Sequence, residues 1–284
     1  MSAQFQRVAV LGTGLIGGSF ALAMRARGSH VTGYDKPEIL EEAERCGAID
    51  AGAADIASAV RGARLIYLAL PIGAALDALP VIAQHADAAA LVTDAGGTKV
   101  RICEAAAKAF PSGARFLGGH PMAGAENGGI AHAGADLFRD AKYALIAEES
   151  DSDSRVSDFA ECVRGIGATP VWLDAETHDW AAAIISHLPQ LTAIALAGVV
   201  KDETDETGLP LTMAGPGLRD ALRLAGSPYE MWRDVCLTNE QNISRALERL
   251  INALEHLRSN LKTRELAHEF DGSREVYKIL HGMK

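Results

Sequence analysis

A glycine-rich segment near the amino terminus constrains the fold of this chain more than any other feature. Its sequence is Gly12-Thr13-Gly14-Leu15-Ile16-Gly17, and it follows an apolar run at residues 7–11 and opens a helical run at residues 15–27. In such a turn the first glycine permits the tight bend, the second lets a pyrophosphate approach the backbone, and the third lets helix and strand pack closely. The helix amino terminus supplies amide donors for the anion. The spacing therefore predicts a dinucleotide site of the Rossmann type.

Asp35 indicates which dinucleotide this site prefers. It ends the second predicted strand, where a carboxylate accepts hydrogen bonds from the ribose hydroxyls and repels a 2′-phosphate. This position predicts NAD, with NADP as a weaker alternative because Lys36 follows directly. The other interpretation is an ordinary glycine turn in which Asp35 caps the next helix. Leu70, Pro71 and Asp94 end later predicted strands and should line the nicotinamide side, because ligands of such sheets bind at the carboxyl ends of the strands.

Strand and helix patterns alternate up to Leu173. Strand candidates lie at residues 7–11, 31–34, 65–70, 89–93, 115–117, 143–147 and 170–173, and helical patterns at residues 38–47, 74–85, 98–109 and 153–166. This alternation predicts an α/β fold with a parallel, doubly wound sheet. After Leu173 the pattern is helical, apart from breaks near residues 202–217 and 226–229. We therefore expect a Rossmann-type domain over residues 1–174 and an all-α domain over residues 175–284.

Charge and cysteine spacing exclude several classes of protein. The net charge of −10 argues against a nucleic-acid partner, since phosphate binding needs clustered lysine and arginine. The four cysteines are far apart without C-x-x-C spacing, which fits reduced thiols better than disulfides or a zinc site. No secretory signal is visible, because glycines interrupt the apolar pattern of residues 7–24. We expect a cytoplasmic protein with no metal.

The stretch Ala181–Val200 resembles a membrane span, because it carries no formally charged residue. His187, Pro189 and Gln190 at its centre favour instead a helix buried in protein, and we expect no membrane partner. Pro189 lacks an amide donor, which predicts a kink with the Ile185 carbonyl unpaired.

One histidine is held between strong backbone constraints. The segment is Gly118-Gly119-His120-Pro121-Met122-Ala123-Gly124. Pro121 keeps His120 in an extended conformation, and the glycines let the main chain approach a ligand. A rigidly aimed histidine on such a loop is a candidate general base titrating near neutrality, although a capping or core histidine is the alternative.

Two further motifs complete a resemblance to a known family. They are Ser186-His187-Leu188-Pro189 and Met231-Trp232-Arg233-Asp234. Together with the fingerprint and the His120 segment, they make the chain resemble the prephenate/arogenate dehydrogenases from about residue 7 to about residue 260. The resemblance implies NAD-dependent oxidative decarboxylation of a cyclohexadienyl acid in tyrosine biosynthesis. The product would be tyrosine from arogenate, 4-hydroxyphenylpyruvate from prephenate, or both.

The resemblance also implies roles for individual residues. His120 matches the catalytic histidine that takes the hydroxyl proton of the substrate, and His187 matches a pocket histidine that binds or orients the acid. Arg223 matches the arginine that holds the ring carboxylate, with Arg219 one helical turn before it on the same face. Glu126 matches an acidic residue near the pocket entrance. Trp232 also belongs to this substrate-binding set, although a place in the hydrophobic core is an equal alternative for it.

Two departures from the family pattern concern the substrate pocket. Many relatives carry a serine that bonds both substrate and catalytic histidine, where this chain has Gly97, and the adjacent Thr98 is only a weak substitute. Many prephenate-using relatives carry a second histidine where this chain has Gln190. A neutral amide there, beside Glu126, favours arogenate over prephenate.

The resemblance further implies a homodimer formed through the helical domain, whose apolar helix at Ala181–Val200 needs covering on all sides. Within the same family, a 4-amino-4-deoxyprephenate dehydrogenase would look almost the same. The 3-hydroxyacid dehydrogenases share the fingerprint but place a lysine on the long helix, and residues 176–200 contain none. An NAD-sensing regulator would keep the glycines and lose His120, His187 and Arg223.

Overall fold

The computed structural model describes residues 5–125, 127–204 and 207–282. Within these residues, eight strands form one sheet in the order β3-β2-β1-β4-β5-β6-β7-β8. The strands are β1 (Arg7–Leu11), β2 (His30–Tyr34), β3 (Ala51–Gly52), β4 (Leu65–Leu68), β5 (Leu91–Asp94), β6 (Arg115–Pro121), β7 (Lys142–Ile146) and β8 (Thr169–Leu173). The α/β fold predicted from the alternating pattern is confirmed, and the short β3 is an addition to it.

The sheet is not parallel throughout, which corrects the sequence-based expectation. Strands β1 to β6 pair in parallel, whereas β7 runs antiparallel to β6 and β8 runs parallel to β7. A parallel pair needs a crossover, usually an α-helix. Between β6 and β7 the described residues contain only a 3₁₀ turn, Ile130–His132, so β7 returns in the opposite direction.

Helices cover both faces of the sheet. They are α1 (Leu15–Ala26), α2 (Pro37–Arg45), α3 (Ile56–Val60), α4 (Ile72–His85), α5 (Val100–Ala109) and α6 (Ser154–Gly165). Alternate residues of β1 belong to two separate apolar clusters, with Val8 and Val10 in one and Ala9 and Leu11 in the other. Since successive side chains of a strand point to opposite faces, each face of the sheet has its own core.

The remainder of the described chain is helical, as predicted. The helices are α7 (Ala175–Ala182), α8 (Leu188–Asp202), α9 (Leu209–Thr212), α10 (Pro216–Leu222), α11 (Tyr229–Thr238), α12 (Glu240–Ser259) and α13 (Glu265–Leu280). A π-helical turn, Ala183–His187, joins α7 to α8 directly before Pro189. A proline without an amide donor is accommodated by such a local change of helical hydrogen bonding, and the expected kink stays a prediction.

The apolar helix expected to be buried is largely exposed within one chain. Ile185 is 63% exposed and Val199 is 59% exposed. The helix Ala175–Asp202 is long and apolar enough to cross a membrane by length and composition, a test that core helices of soluble proteins also pass. The chain exposes 16203 Å² of surface, whereas a folded monomer of 29.9 kDa exposes about 11,700 Å². The chain therefore exposes more surface than is usual for a folded monomer of its mass, and nearly all of its exposed large apolar side chains in the described residues lie after residue 175.

Candidate active site

The glycines of the fingerprint have the distinct roles that their spacing predicts. Gly12 adopts a positive φ of 90°, and a Cβ there would lie 2.4 Å from the carbonyl oxygen of Ala69. A Cβ at Gly17 would lie 1.8 Å from the carbonyl oxygen of Gly12, so helix and strand pack too closely for a side chain. At Gly14, by contrast, a Cβ would meet no atom within 4 Å. The middle glycine therefore faces open space that a pyrophosphate could occupy.

The amino terminus of α1 fits this anion. Gly14 is its N-cap residue, without a side-chain cap, and the first intrahelical bond runs from the Gly18 amide to the Gly14 carbonyl. The amides of Leu15, Ile16 and Gly17 precede that bond, so they are donors that a helix leaves without intrahelical partners. With the space above Gly14, they would hold the phosphates of a dinucleotide.

Asp35 is bound to the fingerprint turn. Its carboxylate accepts hydrogen bonds from the Thr13 amide at 2.7 Å and from the Thr13 hydroxyl at 3.3 Å. It also accepts one from the Lys36 amide at 2.8 Å. The N-cap residue of α2 is Lys36, with Pro37 behind it, so Asp35 is not the cap of that helix. Its carboxylate lies beside the fingerprint turn, and its role towards a ribose stays a prediction.

The other cofactor candidates lie at the carboxyl edge of the sheet. Leu70 and Pro71 follow β4, and Pro71 is the N-cap residue of α4. Asp94 ends β5 and is 1% exposed, and its carboxylate accepts the amides of Gly96 at 2.9 Å and Gly119 at 3.1 Å. Both carboxylate oxygens of Asp94 therefore accept hydrogen bonds from the backbone at this edge of the sheet.

His120 lies in β6 and not on a loop, which corrects one expectation. It pairs in register with Ala144 of β7, and its conformation is extended, as Pro121 predicted. The reason for the preceding glycines also differs. A Cβ at Gly119 would lie 2.7 Å from the Asp94 carbonyl oxygen, and one at Gly118 would lie 2.9 Å from the Cys103 sulfur. The glycines therefore allow β6 to pack closely inside the protein.

A second histidine, which the sequence analysis missed, contacts His120. The Nε2 atom of His178, on α7, lies 2.9 Å from Nδ1 of His120. The Nδ1 atom of His178 lies 2.8 Å from Oδ1 of Asp179. His178 is 3% exposed and Asp179 is 1% exposed. The adjacent His-Asp pair at the start of an apolar helix was the sequence signal that could have drawn attention to them.

Asp179 also fixes α5. Its carboxylate accepts the amides of Lys99 at 2.7 Å and Val100 at 3.0 Å, the first donors of that helix. The Lys99 side chain is fully buried, forms an ion pair with Asp94, and donates to the Gly119 carbonyl at 2.7 Å. These contacts join β5, α5, β6 and α7 around His120.

Both site histidines are held neutral. Burial lowers the pKa of His120 well below the usual value of 6.5, and the neighbouring His178, Lys99 and His187 lower it further. Burial also lowers the pKa of His187 to about 4, and His178 adds to that effect, while Asp179 opposes it. A neutral imidazole can accept a proton, so His120 is suited to act as a base at neutral pH.

His187 occupies the end of the π-helical turn and is 2% exposed. Its Nδ1 atom lies 3.3 Å from the amide nitrogen of Asn239, which can only donate, so Nε2 carries the proton. Asn239 also donates to the Asp179 carbonyl at 2.7 Å. The half-buried Trp232 packs edge-on against the His187 ring, with 5.9 Å between centroids. Trp232 thus packs against the buried His187.

Two side chains that were predicted to contact the substrate form hydrogen bonds with other residues of the chain. The Thr98 hydroxyl lies 2.7 Å from the Thr238 hydroxyl, while a Cβ at Gly97 would meet only Val235 at 3.8 Å. Gln190 is 1% exposed and donates to the Leu224 carbonyl at 2.7 Å. Both side chains therefore connect segments of the protein.

The two candidate arginines are exposed. Arg219 lies in α10, which ends at Leu222, and Arg223 begins a 3₁₀ turn that ends at Gly226. They therefore do not share one continuous α-helical face, which corrects that expectation. Neither forms an ion pair with any residue in the described ranges. Glu126 lies outside the described residues.

Among the described residues, no group of three or more histidine, cysteine or acidic side chains could hold a metal ion. The four cysteines are unpaired. The candidate site therefore consists of the carboxyl edge of the sheet with the glycine turn, the neutral His120 and the adjacent helix α7.

Family models match almost the whole chain. Residues 20–171 match the model of the prephenate dehydrogenase nucleotide-binding domain, and residues 174–272 match that of the prephenate dehydrogenase dimerization domain.

Individual proteins match over similar lengths. Prephenate dehydrogenase of Bacillus subtilis is 31% identical over 267 residues, covering 93% of this chain and 72% of its own. Cyclohexadienyl dehydrogenase of Zymomonas mobilis is 30% identical over 267 residues, covering 92% and 90%. The structure of prephenate dehydrogenase from Aquifex aeolicus with hydroxyphenyl propionate and NAD+ superposes with a TM-score of 0.89 at 27% identity, covering 97% of this chain and 98% of that one.

Proposed function

Because the chain belongs to the prephenate dehydrogenase family, we propose that it catalyses the NAD-dependent oxidative decarboxylation of a cyclohexadienyl acid. The substrate would be prephenate, arogenate or both, which places the enzyme in tyrosine biosynthesis. Membership of this family sets aside the 3-hydroxyacid dehydrogenases and a purely regulatory protein. It leaves a 4-amino-4-deoxyprephenate dehydrogenase as the second candidate.

The observation that carries this proposal is a neutral His120 at the carboxyl edge of the sheet that also bears the nucleotide turn. Bound NAD would supply the acceptor for the hydride of C4. His120 accepts the proton of the C4 hydroxyl as the C4–H bond breaks, carbon dioxide leaves C1 as the ring becomes aromatic, and the proton returns to the phenolic oxygen of the product. Aromatisation drives the step, so the protein has mainly to orient the substrate and hold the proton.

The cofactor proposal is supported by the fingerprint itself. The open space above Gly14 and the free amides at the start of α1 would hold the pyrophosphate. Asp35 would read the ribose hydroxyls and disfavour a 2′-phosphate. The bound NAD+ of the Aquifex relative is consistent with this cofactor.

The substrate carboxylate on C1 requires a cation, and we assign this role to Arg223. Its guanidinium is exposed, and no ion pair with a described residue competes for it. Gln190 would help to position Arg223, because its side chain donates to the carbonyl of the adjacent Leu224 and lies 3.4 Å from the Ser227 hydroxyl. His187, with a proton on Nε2, would donate a hydrogen bond to the acid, beside Trp232.

The protein would act as a homodimer in the cytoplasm. The match to a dimerization domain and the uncovered apolar surface of α7 and α8 support this proposal. Large apolar side chains exposed along one helix are characteristic of a surface that another subunit covers.

The test compares NAD reduction with prephenate, arogenate and 4-amino-4-deoxyprephenate at equal concentrations. Product identification should yield carbon dioxide with 4-hydroxyphenylpyruvate or tyrosine. Because Gln190 stands where many prephenate-using relatives carry a histidine, we expect a higher kcat/KM with arogenate. Turnover confined to the amino-deoxy substrate would replace the first candidate by the second, and no turnover of any of the three would reject both.

A further inference from the structure

We propose that His178 is a positioning residue that fixes the tautomer of His120 and, with Asp179, receives part of its charge during the reaction. The three side chains contact one another in series: Asp179 contacts His178 at 2.8 Å, and His178 contacts His120 at 2.9 Å. The inference deepens the proposed function, because it rests on His120 acting as the base.

The argument begins at Asp179. Its oxygens face the backbone N–H groups of Lys99 and Val100, both donors, so this buried carboxylate is an acceptor on these sides. The remaining neighbour at hydrogen-bond distance is Nδ1 of His178. An imidazole nitrogen with a lone pair would repel the carboxylate oxygen at this distance. His178 therefore carries a proton on Nδ1.

The arrangement of His120 follows from that proton. A neutral His178 protonated on Nδ1 has a lone pair on Nε2, which faces Nδ1 of His120. His120 must then donate from Nδ1, and this leaves the lone pair on its own Nε2. The base consequently presents an acceptor on the nitrogen that points away from α7.

The same contacts stabilise the protonated base. When Nε2 of His120 takes the substrate proton, the ring becomes an imidazolium. Its Nδ1 proton can be shared with or passed to Nε2 of His178, which moves the positive charge towards the carboxylate of Asp179. The positive charge of Lys99 opposes this movement but is paired with Asp94, and His187 on the far side of Asn239 is neutral.

The series of contacts from Asp179 through His178 to His120, called the relay below, joins two parts of the chain. His120 lies next to the end of β6, whereas His178 and Asp179 lie on α7, the first helix after the last strand. Because Asp179 also binds the first amides of α5, a shift of α7 relative to the sheet would disturb the helix start and the base together.

The first experiment reads the tautomer directly. In the full-length protein labelled with ¹⁵N-histidine, the His120 signals are those lost in the His120→Asn variant. We expect long-range ¹H–¹⁵N spectra to show a protonated Nδ1 and an unprotonated Nε2 for His120. The opposite tautomer would overturn the proposal without any need for turnover.

The second experiment compares two substitutions at one position. His178→Leu removes the acceptor and should lower kcat by about 10- to 100-fold while NAD affinity stays within about twofold. His178→Gln can offer its amide oxygen to Nδ1 of His120 and should restore a large part of the loss. The control is His30→Leu, since His30 is an exposed histidine on β2, and this change should leave kcat unaltered.

The outcomes separate the relay from the proposed function. Unchanged turnover in a folded His178→Leu variant, with NAD binding intact, would overturn the relay while the function stands. A correct tautomer together with no turnover of any cyclohexadienyl acid would reject the function and leave the geometry in place. If neither His178 variant folds, the tautomer measurement on the unmodified protein still decides.

Discussion

Asp234 closes the amino terminus of a helix that lies 161 residues earlier in the chain. Its carboxylate, on α11, accepts a hydrogen bond from the Gly73 amide of α4 at 2.8 Å. The pKa of Asp234 is lowered chiefly by the hydrogen bond from Arg233 and then by the Gly73 amide, so the carboxylate is charged at neutral pH. A negative charge at this position satisfies an orphan donor and complements the helix dipole.

Replacing Asp234 by Ala should therefore lower the free energy of unfolding by about 1 kcal/mol, the usual cost of a lost helix cap. Urea unfolding at fixed protein concentration would measure it. Asp234→Asn is the matched control, because asparagine also caps helices well and should retain most of the stability. Equal losses in both variants would show that the charge, and not the cap, is what matters.

His120 governs the pH dependence of the reaction. Its pKa is lowered, so the base is protonated only below the ordinary histidine range, and activity should rise with pH below 6.5 and be level at neutral pH. This replaces the sequence-based expectation of a titration near neutrality. The measurement is kcat/KM against pH, which reports groups of the free enzyme. A limb centred above pH 7 would contradict the lowered pKa.

His120→Asn should lose that limb and about 100-fold or more in kcat, because the amide keeps a hydrogen-bond donor but cannot take a proton. NAD binding, followed by fluorescence, serves as the control for folding. Near-normal turnover would remove His120 from the mechanism.

Arg223→Ala should raise KM for the cyclohexadienyl acid by about 10- to 100-fold, the loss expected for a charge-assisted hydrogen bond, and spare NAD affinity. Arg219→Ala is the companion variant. If KM changes only in that variant, Arg219 holds the ring carboxylate instead.

Asp35→Asn should lower the preference for NAD over NADP by about tenfold, because the like charge facing a 2′-phosphate is removed. The asparagine oxygen can still accept the Thr13 amide, so the turn itself should persist. The ratio of specificity constants for the two cofactors is the measurement. An unmodified enzyme that already prefers NADP would show that Lys36 controls the pocket.

Ile185→Asp should prevent association, because Ile185 is 63% exposed on the apolar helix that a second subunit would cover. Light scattering at low micromolar concentration should give about twice 29.9 kDa for the unmodified protein. Val81→Asp is the control, since Val81 is 36% exposed on α4 of the sheet domain. A fully active species of 29.9 kDa would exclude the dimer.

The parts of the site that the sequence predicted are those defined by local constraints. The fingerprint glycines and Asp35 act within one strand, one turn and one helix, and Pro121 fixes the backbone of its own neighbour. Such constraints depend only on residues that are close in sequence, so they can be predicted without knowing how the chain packs.

The parts that could not be predicted depend on distant contacts. His178 lies 58 residues from His120 and meets it only because α7 packs against the end of β6. The reversal of β7 likewise depends on a connection without an α-helix. Thr98 and Gln190, which the family resemblance assigns to the substrate pocket, also contact Thr238 and Leu224, and the sequence did not indicate these partners.

The caps supplied from the helical part also set an order of events during synthesis. The amino terminus of α4 lacks the hydrogen bond to Asp234 until that residue has been translated, 161 residues after Gly73. At the usual rate of about 5–20 residues per second, that interval is roughly 8 to 30 seconds. Throughout it the nascent sheet domain is on the ribosome without this contact, and the apolar helix that follows has no second subunit. Because exposed apolar surface on incomplete chains favours aggregation, we expect the yield of folded protein to fall when synthesis is faster than assembly.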